Sequence, residues 1–365
     1  DVFISGFTDS LTSSKIDLST SAAVNPVAES ERNSVYISFF YQWRGNGEAP
    51  DEQDYLELLF KNDLGEWESA WRSPVQTFQR DLFYSAIVQV AGNTFFHNAF
   101  QFQIRSFGRQ SGPFDTWNLD YVYLNKGRSA TDTSFPDRAA ASPFSPLFKP
   151  FSAMPYTHFL ISGTLDGVRF DVQNLKNENS AANYKADIEY SIFKDGSPAQ
   201  FTKVVEDAKS VTPGFGLDPL GRVTVKIDTL PQVISRSDFD IEADSADVTL
   251  NVILASGDEA DNKAPFEPYD LRINDTVSNT YHLRNFYAYD DGIAEYAVEL
   301  IETGNFLAYR FDLPLGLPDT LALLEAIDIY FPPYGLPSTL NVDFYVFAKH
   351  ATRDVPGARL LTIPS

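Results

Sequence analysis

The stretch Phe95 to Leu124, FFHNAFQFQIRSFGRQSGPFDTWNLDYVYL, decides the fold class. Phe100, Phe102 and Ile104 alternate with Gln101, Gln103 and Arg105, the period-2 pattern of a strand with one dry and one wet face. After the turn formers between Gly108 and Pro113, the run Trp117 to Leu124 is apolar or aromatic at nearly every position around Asn118 and Asp120. Two such strands joined by a short loop belong in an antiparallel sandwich, and the flanking sequence repeats the signal.

Towards the N-terminus, Asp1 to Ser19 reads as a short strand and a loop, and Thr20 to Asn33 as a polar connection. Val35, Ile37, Phe39, Tyr41 and Trp43 then share one strand face, and Arg44 to Gln53 is a loop of turn formers and acids. Tyr55 to Phe60 sets Leu56, Leu58 and Phe60 on one side and closes on an Asn62-Asp63-Leu64-Gly65 turn. Trp67 to Trp71 and Ala86 to Val90 complete an expected module over residues 1–128 of jelly-roll type. Residues 129–155 change to a Pro/Ser/Phe-rich linker, whose Phe135, Phe144, Phe148 and Phe151 are too apolar for a free tether and are expected to lie pinned along a domain surface.

A second module, residues 156–255, carries strands at Tyr184 to Ile192, Arg222 to Ile227 and Asp247 to Leu254, and its size suits an immunoglobulin or fibronectin III sandwich. An acidic joint, Ala255 to Tyr269, opens a third, jelly-roll-like module over 256–365 that is expected to be incomplete at its C-terminal end. Its strands are expected near Tyr281 to Asn285, Glu295 to Leu300, Phe306 to Phe311, Ile327 to Phe331 and Leu340 to Phe347. Thr320 to Glu325 fits a helical turn or a loop feeding a strand equally well. The predicted fold class is all-β, as tandem β-sandwiches.

Composition agrees, since 30 Phe and 18 Tyr in 365 residues suit pleated surfaces better than helices. The 50 acidic against 28 basic residues give a net charge of −22, a mean field that repels nucleic acid and anionic membranes. With no cysteine, disulfide frameworks and thiolate chemistry are excluded. No apolar run approaches the roughly 20 residues that span a bilayer. The chain opens on Asp1 without a basic-then-apolar leader, so any signal segment is expected to be already absent.

Catalytic signals are weak. His97, His158, His282 and His350 stand singly, without a His-x-x-x-His pair, and no Gly-x-Ser-x-Gly elbow occurs. Gly214-Phe215-Gly216 lacks the strand-to-helix setting of a phosphate loop, so the expectation is a chain that is not itself an enzyme. Structural Ca²⁺ is the one cofactor the acids suggest, because loop carboxylates and carbonyls can together supply its six to eight oxygens. The clusters are Asp51, Glu52 and Asp54; Asp258, Glu259 and Asp261; and Asp290 with Asp291, of which Asp51, Asp54, Asp290 and Asp291 are the preferred ligands. All four tryptophans, Trp43, Trp67, Trp71 and Trp117, fall in the first module. Trp67 and Trp71, of one parity in a short strand flanked by Glu66 and Glu68, are the rings expected to face a ligand.

The phrases Gly6 to Ser19 (GFTDSLTSSKIDLS), Ser34 to Trp43 (SVYISFFYQW), Asp54 to Trp71, Phe100 to Tyr123 and Tyr287 to Tyr296 (YAYDDGIAEY) resemble the repeating body modules of large Bacteroidota surface proteins exported by the type 9 secretion system. Those modules are similar to MAM, laminin-G and carbohydrate-binding jelly rolls. The resemblance implies a piece of a longer extracellular or cell-surface protein, with a first module expected to lack its first strands and a third expected to continue past the given end. Its expected role is adhesion, display or envelope assembly with other cell-envelope proteins or surface glycans, without nucleic acid and without membrane insertion by this segment. The alternative is the carbohydrate-binding accessory region of a larger secreted hydrolase or peptidase. The resemblance also implies O-glycosylation where Asp precedes Ser or Thr and then a small or aliphatic residue, at Ser10, Thr229, Ser245, Thr276 and Thr320, although Asp-Ser/Thr pairs also simply start turns. Intact-mass measurement on protein from its native host is expected to exceed the bare polypeptide mass; a mass equal to the polypeptide would overturn this.

Overall fold

The computed structural model describes residues 4–43, 49–74, 82–110, 115–162, 165–206, 215–257, 270–290, 292, 306–313, 317, 323–330, 343–353 and 355–363. Among the described residues, seven strands build the first sandwich: β1 (Ser5–Thr12), β2 (Tyr36–Trp43), β3 (Tyr55–Lys61), β4 (Trp67–Arg72), β5 (Tyr84–Gln89), β6 (Phe102–Arg109) and β7 (Trp117–Asn125). They form a four-stranded sheet in the order β1-β6-β3-β4 and a three-stranded sheet in the order β5-β2-β7, paired antiparallel throughout. The alternation read from sequence decides which side faces in. Ile37, Phe39 and Tyr41 of β2 meet Leu56, Leu58 and Phe60 of β3 and Ile104 of β6 in one core. Each such side chain, fully buried, contributes about 1.5–3 kcal/mol. The Asn62 to Gly65 turn forms as expected: Gly65 takes φ +84°, and the Asn62 side-chain oxygen accepts from the Leu64 and Glu66 amides.

The second sandwich packs the sheet β14-β10-β8 against the sheet β12-β11-β15-β16-β9, with β13 paired to β11. Its strands are β8 (Arg138–Ala140), β9 (Ala153–Pro155), β10 (Val168–Asn174), β11 (Ser180–Lys194), β12 (Ser197–Glu206), β13 (Phe215–Leu217), β14 (Arg222–Ile227), β15 (Ser245–Ala255) and β16 (Thr276–Arg284). Asp195 and Gly196, at φ 50° and 74°, make the two-residue turn between β11 and β12, the backbone handedness that tight hairpins favour.

Two segments sit differently from the sequence reading. Residues 129–155, read as a linker, supply β8 and β9 to this sandwich. Phe144, Leu147, Phe148 and Phe151 lie in its core with Phe159, Phe170, Tyr190 and Tyr281. The strand expected near Tyr281 as part of a third module is β16, which pairs along β15 from Ala246↔Leu283 to Ile253↔Thr276. Of residues 291–363, the described strands are the hairpin β17 (Phe344–Lys349) and β18 (Pro356–Ile363). Phe306 to Phe311 and the described part of Ile327 to Phe331 run outside any strand. Their alternation satisfies side-chain periodicity, but a strand also needs a backbone partner, and none pairs with them among the described residues. The Glu295 to Leu300 strand and residues 320–322 lie outside the described residues, and Leu323 to Glu325 carry neither helix nor strand.

The sandwiches join through a bulge. Between Ser38↔Tyr123 and Phe40↔Asp120 the register of β2 and β7 slips, and Tyr121 adopts φ 49°. This re-aims its hydroxyl at the buried Asp137 carboxylate, and Asn274 Nδ2 donates to both, at 2.6 Å and 2.9 Å. Phe135 lays its ring 5.0 Å from Tyr121 while its amide donates to Leu175 of the second sandwich.

Truncating Phe148, which packs on Phe159 and Tyr281, tests whether 129–155 is core or tether. Phe148→Ala is expected to cost the second sandwich about 3–5 kcal/mol, read as a lower urea midpoint by far-UV circular dichroism. Tryptophan fluorescence, which reports the first sandwich, should move less. An unchanged dichroism midpoint would return the segment to a surface tether.

Candidate functional site

The alternation that turns Leu56, Leu58 and Phe60 inward turns Tyr55, Glu57, Leu59 and Lys61 of β3 to the outer face of the four-stranded sheet. Register then fixes their neighbours. On β6, Phe107, Arg105 and Gln103 stand opposite Tyr55, Glu57 and Leu59. On β4, Arg72, Ser69 and Trp67 stand opposite Glu57, Leu59 and Lys61. On β1, Phe7, Ser10 and Thr12 face Phe107, Arg105 and Gln103.

Glu57 is the centre of this face. Its side chain is 1% exposed, yet it lies outside the apolar core. Arg72 Nε donates to Oε1 at 2.8 Å, Ser69 Oγ donates to the same oxygen at 2.8 Å, and Arg105 donates to Oε2 from Nε at 2.9 Å and Nη2 at 2.7 Å. Burial pushes the carboxyl up, but the hydrogen bonds from Arg105, Ser69 and Arg72 outweigh it and hold Glu57 below the ordinary glutamate range. The same pairing holds Arg72 above its ordinary range.

The two guanidiniums are laid on rings. Arg105 Cζ sits 3.5 Å from the Phe7 ring centroid and Arg72 Cζ 4.6 Å from that of Tyr55. Tyr55 and Phe107 stack at 5.0 Å with planes 4° apart, and Phe7 meets Phe107 edge-on at 5.4 Å. At the other end Lys61 Nζ lies 5.5 Å over Trp67. The patch is open to water: Phe7 is 42% exposed and the Arg72 side chain 56%.

Trp67 and Trp71 do not share a face. A bulge interrupts β4 between Ser69 and Trp71, so equal parity in sequence becomes opposite sides in space. Trp67 stands on the outer face with Lys61. Trp71 turns inward onto Phe39 and Tyr41, at 5.3 Å and 5.2 Å. Tyr55, Phe107 and Phe7, absent from the sequence-derived site, take its place. Their signal was the outer parity of strands whose inner parity was already assigned.

The acids read as Ca²⁺ ligands are used in turns. Asp54 Oδ2 accepts from the Asp51 amide at 2.7 Å, and Asp51 pairs with Arg109 at 3.3 Å. Burial first, then the neighbouring Asp115 and Asp51 carboxyls, raise Asp54 to about 6 against the lowering effect of the Asp51 amide. Asp290 Oδ1 accepts from the Gly292 amide, while Asp291, Asp258, Glu259 and Asp261 lie outside the described residues. Among the described residues, no three His, Asp or Glu side chains converge as metal ligands.

Of the sites read for glycosylation, Ser10 is exposed on β1, Thr276 is exposed at the start of β16, and Ser245 and Thr229 are half-buried. Thr320 lies outside the described residues. His158 Nδ1 is 2.9 Å from the Tyr287 hydroxyl and His282 Nδ1 2.7 Å from Asp247, two separate packing contacts. No described helix is long and apolar enough to cross a membrane.

No protein-family model matches the chain, and no curated protein matches its sequence. Among solved structures the likenesses are distant. A Bacteroides fragilis protein described as a beta-galactosidase is 11% identical with a TM-score of 0.20, covering 76% of this chain and 33% of its own. Bacteroides uniformis beta-glucuronidase is 10% identical with a TM-score of 0.19, covering 75% of this chain and 25% of its own. The N-terminal CBM22-1-CBM22-2 tandem domain of Paenibacillus barcinonensis Xyn10C is 8% identical with a TM-score of 0.18, covering 69% of this chain and 79% of its own. The chain thus spans about a third of the galactosidase and a quarter of the glucuronidase.

Glu57→Gln is expected to lower stability at pH 7 by about 1.5–3 kcal/mol, the size of charge-assisted hydrogen bonds lost from a buried site. Because the folded-state value is held below the ordinary 4.5, the native carboxylate's contribution is complete above that pH and is lost as pH falls through the folded value. The gap between native and variant urea midpoints should therefore close below pH 4.5. A gap independent of pH would show that shape, not charge, sets the effect.

Proposed function

We propose that this chain is a non-catalytic, carbohydrate-binding accessory region of a larger extracellular protein, and that it binds glycan on the outer face of β1-β6-β3-β4. The observation that carries this reading is the ordered cover of that face: Phe7, Tyr55, Phe107 and Trp67 interleaved with Arg72, Arg105 and Lys61 around Glu57. Sugars present apolar C–H faces and a rim of hydroxyls. Aromatic rings serve the faces, and forked donors with Gln103 and Thr12 serve the rim. Because Glu57 already holds both guanidiniums in place, binding does not have to order them, which keeps the entropic cost low.

Adhesion or display at a bacterial cell surface is the second reading. It is favoured by the junction of Tyr121, Asp137 and Asn274, which ties two sandwiches together as a spacer in a surface protein would require. Both readings place the chain outside the cell, and they share the glycan face.

Affinity electrophoresis through gels holding soluble polysaccharides tests the proposal. At least one polysaccharide is expected to retard the intact chain. Tyr55→Ala and Trp67→Ala should each weaken that retardation about tenfold, the effect of losing an aromatic contact plus its buried area. Unretarded migration in every gel, or variants that migrate as the native protein does, would sink the assignment.

A further inference from the structure

We infer that the glycan taken by this face is acidic, a polysaccharide whose sugars carry carboxylates, and that Arg72 is the group that reads the carboxylate. The inference rests on the proposed glycan-binding function and narrows it.

The chain carries a net charge of −22, yet its outer face does not share that sign. Register places Lys61, Arg72, Arg105 and Arg109 there. Glu57 opposes them in the middle of the face, and at the margin Arg109 meets Asp51, with Asp54 and Asp115 beside it. Glu57 cannot repel an incoming anion effectively, because Arg72, Arg105 and Ser69 already occupy its oxygens. Around Arg72 the balance is therefore cationic, Lys61, Arg72 and Arg105 against Glu57. At physiological salt, charges more than about 8 Å away are largely screened, so the local set decides what binds at contact.

Arg72 has the geometry to use that balance. It spends only Nε on Glu57, and among the described residues Nη1 and Nη2 have no partner. The bond at Nε and the Tyr55 ring beneath Cζ fix the plane of the guanidinium. Its two terminal nitrogens then form a fork matched to the two oxygens of a carboxylate. A sugar carboxylate held there sets its ring beside the Tyr55–Phe107 stack. The acidic remainder of the chain disfavours densely charged polyanions, which extend beyond the patch, over a polymer with one carboxylate per sugar.

Binding of the intact chain to polygalacturonate and alginate, measured by calorimetry beside methyl-esterified polygalacturonate and dextran sulfate, tests this. At least one free-acid polymer is expected to bind at least tenfold more tightly than the methyl ester, and to weaken as NaCl rises. Arg72→Gln should cost that polymer ten- to a hundredfold and cost any ester binding about threefold or less, the share of a hydroxyl contact. Arg72→Lys, which keeps the charge and loses the fork, should remain at least fivefold weaker than native. The urea midpoint of each variant shows that it is folded. Equal binding of ester and acid, unchanged affinity in Arg72→Gln, or tighter binding of dextran sulfate overturns the carboxylate assignment and leaves the glycan-binding reading intact. Failure of every polysaccharide to bind overturns both.

Discussion

A carboxylate shut away from water has to be neutralised where it sits, because an unpaired buried charge costs several kcal/mol. Glu57 imposes that condition on three strands. Its partners Arg105 and Arg72 stand directly opposite it on β6 and β4, so the ion pairs form only in the observed register. Slipping β3 by one residue would carry Glu57 into the space of Leu56 and Leu58 and lift those leucines into water. Holding Arg105 and Arg72 also lays them over Phe7 and Tyr55, so the same carboxylate that pins the sheet composes its outer surface. Leu59, buried on that outer side at 3% exposure, shows how densely the surrounding side chains close over it.

Much of the first sandwich was legible because parity is a property of sequence. Once Val35 to Trp43 and Tyr55 to Phe60 were read as strands with an inner face, the outer face was implied. What parity cannot carry is a bulge. The extra residue on β4 puts Trp67 and Trp71 on opposite sides, although counting puts them together. The slip on β7 likewise frees Tyr121 to reach the neighbouring sandwich. A bulge depends on which residue of the partner strand lies opposite, and that is set by tertiary pairing.

The second sandwich shows the complementary limit. Strands of three residues, such as Arg138–Ala140 and Ala153–Pro155, are too short to show a period, and the Ser/Pro/Ala texture around them reads as a connector. The informative signal was the phenylalanines. Phe135, Phe144, Phe148 and Phe151 were read as too apolar for a free tether, and the structure buries them more deeply than a surface path would. The assignment of Thr276–Arg284 to a later module failed for another reason. An acidic, Pro-containing stretch looks the same in sequence whether it separates two domains or connects two neighbouring strands of one sheet, as it does between β15 and β16.

Net charge misleads in a similar way when it is treated as a property of every surface. The −22 total fixes the far field, which governs approach and solubility, but contact is decided within about a Debye length. On the outer face of β1-β6-β3-β4 the lone carboxylate of the central strand is consumed by its own arginines, so acidity elsewhere does not cancel the patch. The opposition between far and near fields then acts as a filter. In the inferred complex, a polyanion with several charges per sugar meets more of the chain's repulsion along its length than one with a single carboxylate per sugar, which sets that carboxylate at the Arg72 fork and its C–H face at the rings beside it. Specificity on such a surface comes from the rest of the protein being acidic as much as from the arginine itself.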